Sequence, residues 1–118
     1  MFTITKEFTF SASHQLVGLA AEHPCARLHG HNYTVLVELR AAELNAVGFV
    51  RDYRELNEFK SYLDSEVDHH HLNELFGDAS VTAERLAQRF FIWCRDRWPE
   101  VAAVKVSETA KTWAEYRP

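Results

Sequence analysis

His29-Gly30-His31-Asn32-Tyr33-Thr34-Val35-Leu36-Val37-Glu38-Leu39 reads as a strand whose inward row begins with two histidines. Side chains two apart on a strand share a face. His29 and His31 therefore fall in line with Tyr33, Val35, Val37 and Leu39, and Leu36 is the one break in the alternation. The N-terminal run has the same period. Phe2, Ile4, Phe8, Phe10 and Ala12 alternate with Thr3, Thr5, Glu7, Thr9, Ser11 and Ser13, and His14 is next in the apolar row. Strands over 2–14 and 29–40, paired antiparallel, would set three imidazoles at one end of a sheet. A lone histidine at a strand end is ordinarily a hydrogen-bonded core or surface residue. Three in phase point to metal: imidazole is the commonest zinc ligand, and three histidines with an open fourth position make a catalytic arrangement.

Residues 15–28 between the strands contain Gly18 and Pro24 and read as a loop carrying Cys25. Two roles stand open for that thiol. As a fourth zinc ligand it would close the site and make it structural. Held just outside, its thiolate would serve as a base, because zinc and imidazolium lower a thiol pKa.

The rest of the chain supplies helices and two more strands. Asn45 and Gly48 mark a turn. Asp52 is a candidate N-cap for a helix from Tyr53 to about Val67, with Leu56, Phe59 and Leu63 as its apolar stripe. Asp68-His69-His70-His71-Leu72-Asn73 ends it. A second helix is expected from Thr82 to Asp96, capped by Thr82, with Glu84 in the first turn and Ala83, Leu86, Ala87, Phe90, Trp93 and Cys94 facing inward. Cys94 is then an inert packed thiol. Residues 101–108 alternate again through Ala102, Val104 and Val106, and residues 111–117 form a short last strand with Trp113 and Tyr116. The order is ββααββ: an α+β domain with an antiparallel sheet and two helices on one face.

Composition narrows the class. The chain has 118 residues, fitting one domain, and is 47% hydrophobic and 25% charged. A formal charge of −4 provides no basic patch, which argues against nucleic acid as the main partner. The N-terminus lacks a signal-peptide pattern and no apolar run approaches a membrane span, so a cytoplasmic protein with reduced thiols is expected. The one anomaly is seven histidines in so short a chain.

Two acidic positions stand out. Glu108 falls on the inward parity of its strand, where a carboxylate is costly unless paired. Either it reaches solvent at the strand end, or it anchors a ligand with two parallel N–H donors, the fork that a pterin or guanine presents. Asp68-His69 is a candidate proton-transfer pair, since a carboxylate orients an imidazole and raises its basicity. Adjacent side chains seldom hydrogen-bond each other, so the dipeptide is a weak signal.

Taken together, Phe8-x-Phe10-x-Ala12-x-His14, Cys25-x3-His29-Gly30-His31-Asn32-Tyr33, Gly48-x-Val50-x-Asp52-Tyr53, Asp68-His69-His70-x-Leu72-Asn73, Thr82-Ala83-Glu84 and Glu108-Thr109 resemble the 6-pyruvoyl-tetrahydropterin synthase superfamily along nearly the whole chain. The resemblance implies the tunnelling fold (T-fold), assembly into trimers whose sheets close a barrel, often stacked as hexamers, and active sites between subunits. It implies one zinc per subunit on His14, His29 and His31, with Cys25 as proton acceptor. His69, helped by Asp68, would be a relay, and Glu108 and Thr82 would bind the pterin.

The three-residue gap between Cys25 and His29 resembles the bacterial 6-carboxy-5,6,7,8-tetrahydropterin synthase branch of the queuosine pathway. The implied reaction converts 7,8-dihydroneopterin triphosphate and water to 6-carboxytetrahydropterin, acetaldehyde and triphosphate. A pyruvoyl-forming or related pterin lyase is the nearest alternative. A non-catalytic pterin-binding or structural-zinc protein is the alternative of another class. Val81 and Arg85 stand where the family often has Pro and Asn. In this reading Val81 loosens the start of the helix and neither residue touches the zinc or thiol set.

Overall fold

The computed structural model describes residues 1–118. Strands β1 (Phe2–His14) and β2 (His29–Ala41) pair antiparallel along their whole length, from Phe2 opposite Ala41 to His14 opposite His29. The register therefore places the two apolar rows side by side and brings the histidine ends together. β3 (Val101–Ser107) pairs antiparallel with β2, and β4 (Ala114–Tyr116) with β3, in the spatial order β1-β2-β3-β4.

The inward rows meet the helices in one core. Phe8, Phe10, Val35, Val37 and Leu39 are buried with Phe59, Leu63, Leu86 and Phe90. Phe8 packs edge-on against Phe59, and Phe10 against Phe90. Burial of each such side chain contributes about 1.5–3 kcal/mol, which is why register and face are fixed together.

Several local features differ from expectation. A β-bulge lies between Glu38 and Leu39, so Leu39 pairs with Val101 while Val37 pairs with Val104. A bulge shifts strand parity. Val101, not Ala102, takes the inward place, and the alternation from Val104 and Val106 toward Glu108 is kept.

The helix over 53–67 has the expected extent but changes its winding. Asp52 accepts the Arg54 N–H at 2.9 Å and opens a 3-10 turn, Tyr53–Leu56. Helix α1 (Asn57–Tyr62) follows, and then a π turn, Leu63–Val67, closed by the Asp68 N–H on the Leu63 carbonyl at 2.7 Å. A short helix α2 (Leu72–Phe76), absent from the sequence reading, ends at Gly77 in the left-handed region. Helix α3 (Ala83–Arg97) is capped by Thr82, whose hydroxyl accepts the Arg85 N–H at 3.2 Å. Its buried face is Leu86, Ala87, Phe90, Phe91 and Cys94. Trp93 lies half-buried, stacked on Tyr62. Burial pushes the Cys94 thiol pKa up, as befits a packed, unreactive group.

The last strand is shorter than expected and leaves Trp113 outside it and exposed. No helix is long and apolar enough to cross a membrane.

Candidate metal centre and its clefts

His14 ends β1 and His29 begins β2, so strand pairing alone sets them opposite each other. His31 is two residues on, on the same face. One ring nitrogen from each of the three lies within 4.8 Å of the others. His14 is fully buried, and its partners are partly so.

The hydrogen bonds fix the tautomers. His14 Nδ1 is 2.7 Å from the Val81 carbonyl, and His29 Nδ1 is 2.6 Å from the Arg27 carbonyl. A carbonyl only accepts, so both Nδ1 atoms must donate. Both Nε2 atoms then carry lone pairs in the neutral rings, yet they face each other at 2.9 Å. Two lone pairs at that distance repel unless a cation lies between them. The third ring adds to this: His31 Nε2 is buried with no hydrogen-bond partner. Burial holds the His31 imidazole below its ordinary pKa, with Glu108 acting in the opposite sense and His14 and His29 adding to the lowering. A neutral, unpaired, inward-facing nitrogen beside two apposed lone pairs is the donor set that zinc takes. The residues present fit that ion.

Glu108 directly follows β3, which ends one residue sooner than expected, and its side chain keeps the inward direction toward the triad. Its two carboxylate oxygens stand 3.6 Å from His31 Nε2 and 3.9 Å from His14 Nε2. It is partly exposed and borders a cleft of about 530 Å³ with Thr82, Leu16, Val106 and Trp113. Glu108 and Thr82, from distant parts of the chain, thus share one cleft at the edge of the triad. Tyr33, the next inward residue after His31, is fully buried with its hydroxyl unpaired, and burial raises its pKa.

Asp68 and His69 lie elsewhere. Asp68 Oδ1 accepts the Ser11 N–H at 2.8 Å, and Asp68 Oδ2 is 2.8 Å from His69 Nδ1. Neighbouring side chains meet here because His69 adopts φ 61°, in the left-handed region. The His69 N–H is bound to the Ser11 carbonyl. Together the Ser11 bonds and the Asp68 contact hold that unusual conformation. The Ser11 N–H and the His69 ring keep the Asp68 carboxyl below its ordinary pKa. The His69 side chain is 82% exposed. It overhangs a second cleft, of about 580 Å³, lined also by Ser11, Ser13, Asn32 and His31. His31 therefore stands between the two clefts, while His69 and Glu108 line different ones.

Cys25 sits in a 3-10 turn, Pro24–Ala26, half-buried, with its carbonyl accepting the Leu16 N–H at 3.0 Å. Its sulfur is not among the clustered ligand atoms.

Val81 differs from expectation. It was expected to stand clear of the zinc set, yet its backbone carbonyl lies 2.7 Å from His14 Nδ1 and orients that ring, while its side chain is fully buried in the core. Arg85 pairs with Asp78 at 3.1 Å. A backbone acceptor such as the Val81 carbonyl has no signature in a sequence. Asn73, whose side chain bonds both backbone groups of Gln15, was readable only as part of a motif.

Comparison with known proteins agrees with this arrangement. The family described as 6-pyruvoyl tetrahydropterin synthase matches residues 3–118. A 6-carboxy-5,6,7,8-tetrahydropterin synthase from Synechocystis sp. is 34% identical, over 98% of this chain and 93% of its own. A 6-pyruvoyl tetrahydrobiopterin synthase from Drosophila melanogaster is 32% identical, over 97% of this chain and 78% of its own. The structure of Caenorhabditis elegans 6-pyruvoyl tetrahydropterin synthase superposes with a TM-score of 0.86 at 28% identity, covering 99% of this chain and 95% of that one. With a T-fold sheet, a triad of histidines at its end and a match along nearly its whole length, the chain belongs to the 6-pyruvoyl tetrahydropterin synthase family.

Proposed function

We propose that this protein is a zinc-dependent 6-carboxy-5,6,7,8-tetrahydropterin synthase of the queuosine (7-deazaguanine) route, working in the cytoplasm on 7,8-dihydroneopterin triphosphate. The observation that carries the reading is the triad of His14, His29 and His31 with Glu108 directed at its edge and Thr82 in the same cleft. The Cys25-x3-His29 spacing and the likeness to the Synechocystis synthase favour the carboxy-forming branch.

Each side chain has a definite task in this reading. The Glu108 carboxylate accepts the paired N–H donors of the pterin ring, a bidentate, charge-assisted contact. Thr82 already accepts the Arg85 N–H as a helix cap, which leaves its own O–H free to donate to the pterin. Asp68 fixes a hydrogen on His69 Nδ1, so His69 Nε2 is the nitrogen that takes and returns a substrate proton. Cys25 is the proton acceptor on the opposite side of the substrate. Zinc, when bound, supplies a Lewis acid that acidifies the hydroxyls of the substrate side chain. The proton shifts lead to loss of triphosphate and cleavage of the side-chain carbon–carbon bond, with water consumed and acetaldehyde released.

His69 and Glu108 border different clefts of one chain, so the full site is assembled between subunits of a homo-trimer or homo-hexamer. Two observations support association. The radius of gyration is 15.4 Å, against about 13.5 Å for a compact chain of this length. β4, and β1 before Ser11, are open sheet edges, the kind of surface another strand covers.

The test is a product assay. Zinc-loaded protein is mixed with 7,8-dihydroneopterin triphosphate and the products are followed by mass spectrometry with acetaldehyde detection. The expected products are 6-carboxytetrahydropterin and acetaldehyde. A pyruvoyl product would move the protein to the sister activity, and no turnover by folded, zinc-bound protein would overturn the catalytic reading.

A further inference from the structure

β1 has its β2 partner on one side and an open edge on the other, where the backbone groups of Ser11, Ser13 and Gln15 must find partners. The segment after the π turn supplies them in order. Ser11 bonds the Asp68 carboxylate and the His69 N–H, and the Ser13 N–H reaches the His70 carbonyl at 3.2 Å. At Gln15 the backbone supply ends and a side chain takes over. The Gln15 N–H donates to Asn73 Oδ1 at 2.8 Å, and Asn73 Nδ2 donates to the Gln15 carbonyl at 2.8 Å. A carboxamide is chemically a peptide unit, and here it continues the ladder by one step, directly beside His14.

Asn73 does more than close the ladder. Its second side-chain N–H donates to the Asp78 carbonyl at 3.0 Å, beside the Asp78 N–H that donates to the Asn73 backbone carbonyl at 3.1 Å. Asp78 begins the loop that runs to Val81. Its carboxylate takes the Ser80 N–H at 2.9 Å and is pinned to α3 by Arg85 and Arg89. That loop delivers the Val81 carbonyl to His14 Nδ1 at 2.7 Å. One side chain thus restrains the backbone next to His14 and the loop that orients the His14 ring.

We propose that Asn73 is a positioning residue for the histidine triad: by clamping Gln15 and Asp78 it holds His14 Nε2 toward His29 and His31 in the orientation that binds metal. The proposal rests on reading the triad as a metal site. Groups that orient a ligating histidine typically change metal affinity by about 10–100-fold when removed.

The test titrates purified, metal-free protein with cobalt(II), reading affinity by chelator competition and geometry from the visible d–d bands. Asn73→Ala should bind cobalt about 10–100-fold more weakly than wild type, with altered bands. Asn73→Asp keeps the acceptor for the Gln15 N–H and loses both donations, so it should fall between. It also carries the test if the alanine variant does not fold. Phe91→Ala, which empties a core position of α3 against Tyr116 of β4, is the control: it should lower the melting temperature and leave cobalt affinity unchanged. Wild-type affinity in a folded Asn73 variant, or equal loss in Phe91→Ala, would overturn the proposal while sparing the metal site. Failure of the wild type to bind cobalt would overturn the metal reading and the proposal with it.

Discussion

Replacing His69 by glycine should give a more stable protein than replacing it by alanine. His69 has φ 61°, and its side chain is 82% exposed. Little packing is lost in either variant, and both lose the Asp68 contact, so those terms cancel between them. What differs is the Cβ. A residue with a Cβ in the left-handed region costs about 1–2 kcal/mol, which glycine avoids. Glycine's greater freedom in the unfolded chain offsets about 0.5–1 kcal/mol of that gain. Taken at mid-range, the net advantage of His69→Gly over His69→Ala is about 0.75 kcal/mol, or about 2–5 °C in melting temperature for a chain of this size. Thermal and urea unfolding of the two variants would read it directly. An alanine variant as stable as the glycine variant would refute the claim that backbone strain is held at this position. Under the proposed function neither variant turns over, because each lacks the imidazole that moves the proton.

Two further predictions concern the carboxylates. Glu108→Ala should weaken pterin binding about 10–100-fold, the scale of one charge-assisted hydrogen-bonded pair, while the protein stays folded; isothermal titration with a non-reacting pterin would measure it, and unchanged affinity would remove Glu108 as the anchor. For Asp68 the folded-state pKa is lowered, first by the Ser11 N–H and then by His69. Its carboxylate therefore contributes stability that is complete above its ordinary pKa of about 3.9 and is lost as pH falls through the folded value. Asp68→Asn keeps an acceptor for Ser11 and does not titrate, so the stability difference between wild type and variant should shrink on acidification below about pH 4. Unfolding curves from pH 6 to 3 would check this, and a constant difference would contradict it.

The inward parity of His14, His29, His31 and Glu108 was legible because strand alternation is strict and the core enforces it. Paired strands then bring those residues together without further information. The bulge between Glu38 and Leu39 was not legible, since Ala102 and Val101 both suit an inward place and only pairing with β2 chooses between them. The left-handed His69 likewise goes with tertiary bonding of Asp68 and His69 to Ser11, and the bare dipeptide Asp68-His69 carries no sign of it. α2, at five residues, is too short to impose a period. The orienting contacts on His14 escaped notice for a different reason: one is a backbone carbonyl, and the clamp behind it is an asparagine with no charge or periodicity to mark it.

The most direct test of a catalytic rather than structural zinc site is the zinc content and turnover of Cys25→Ala, measured on the same preparation. The thiol lies outside the cluster of ring nitrogens. The variant should therefore keep one zinc per chain, unfold as wild type does, and lose conversion of 7,8-dihydroneopterin triphosphate. Loss of zinc together with stability would make Cys25 a ligand of a closed structural site and contradict the account.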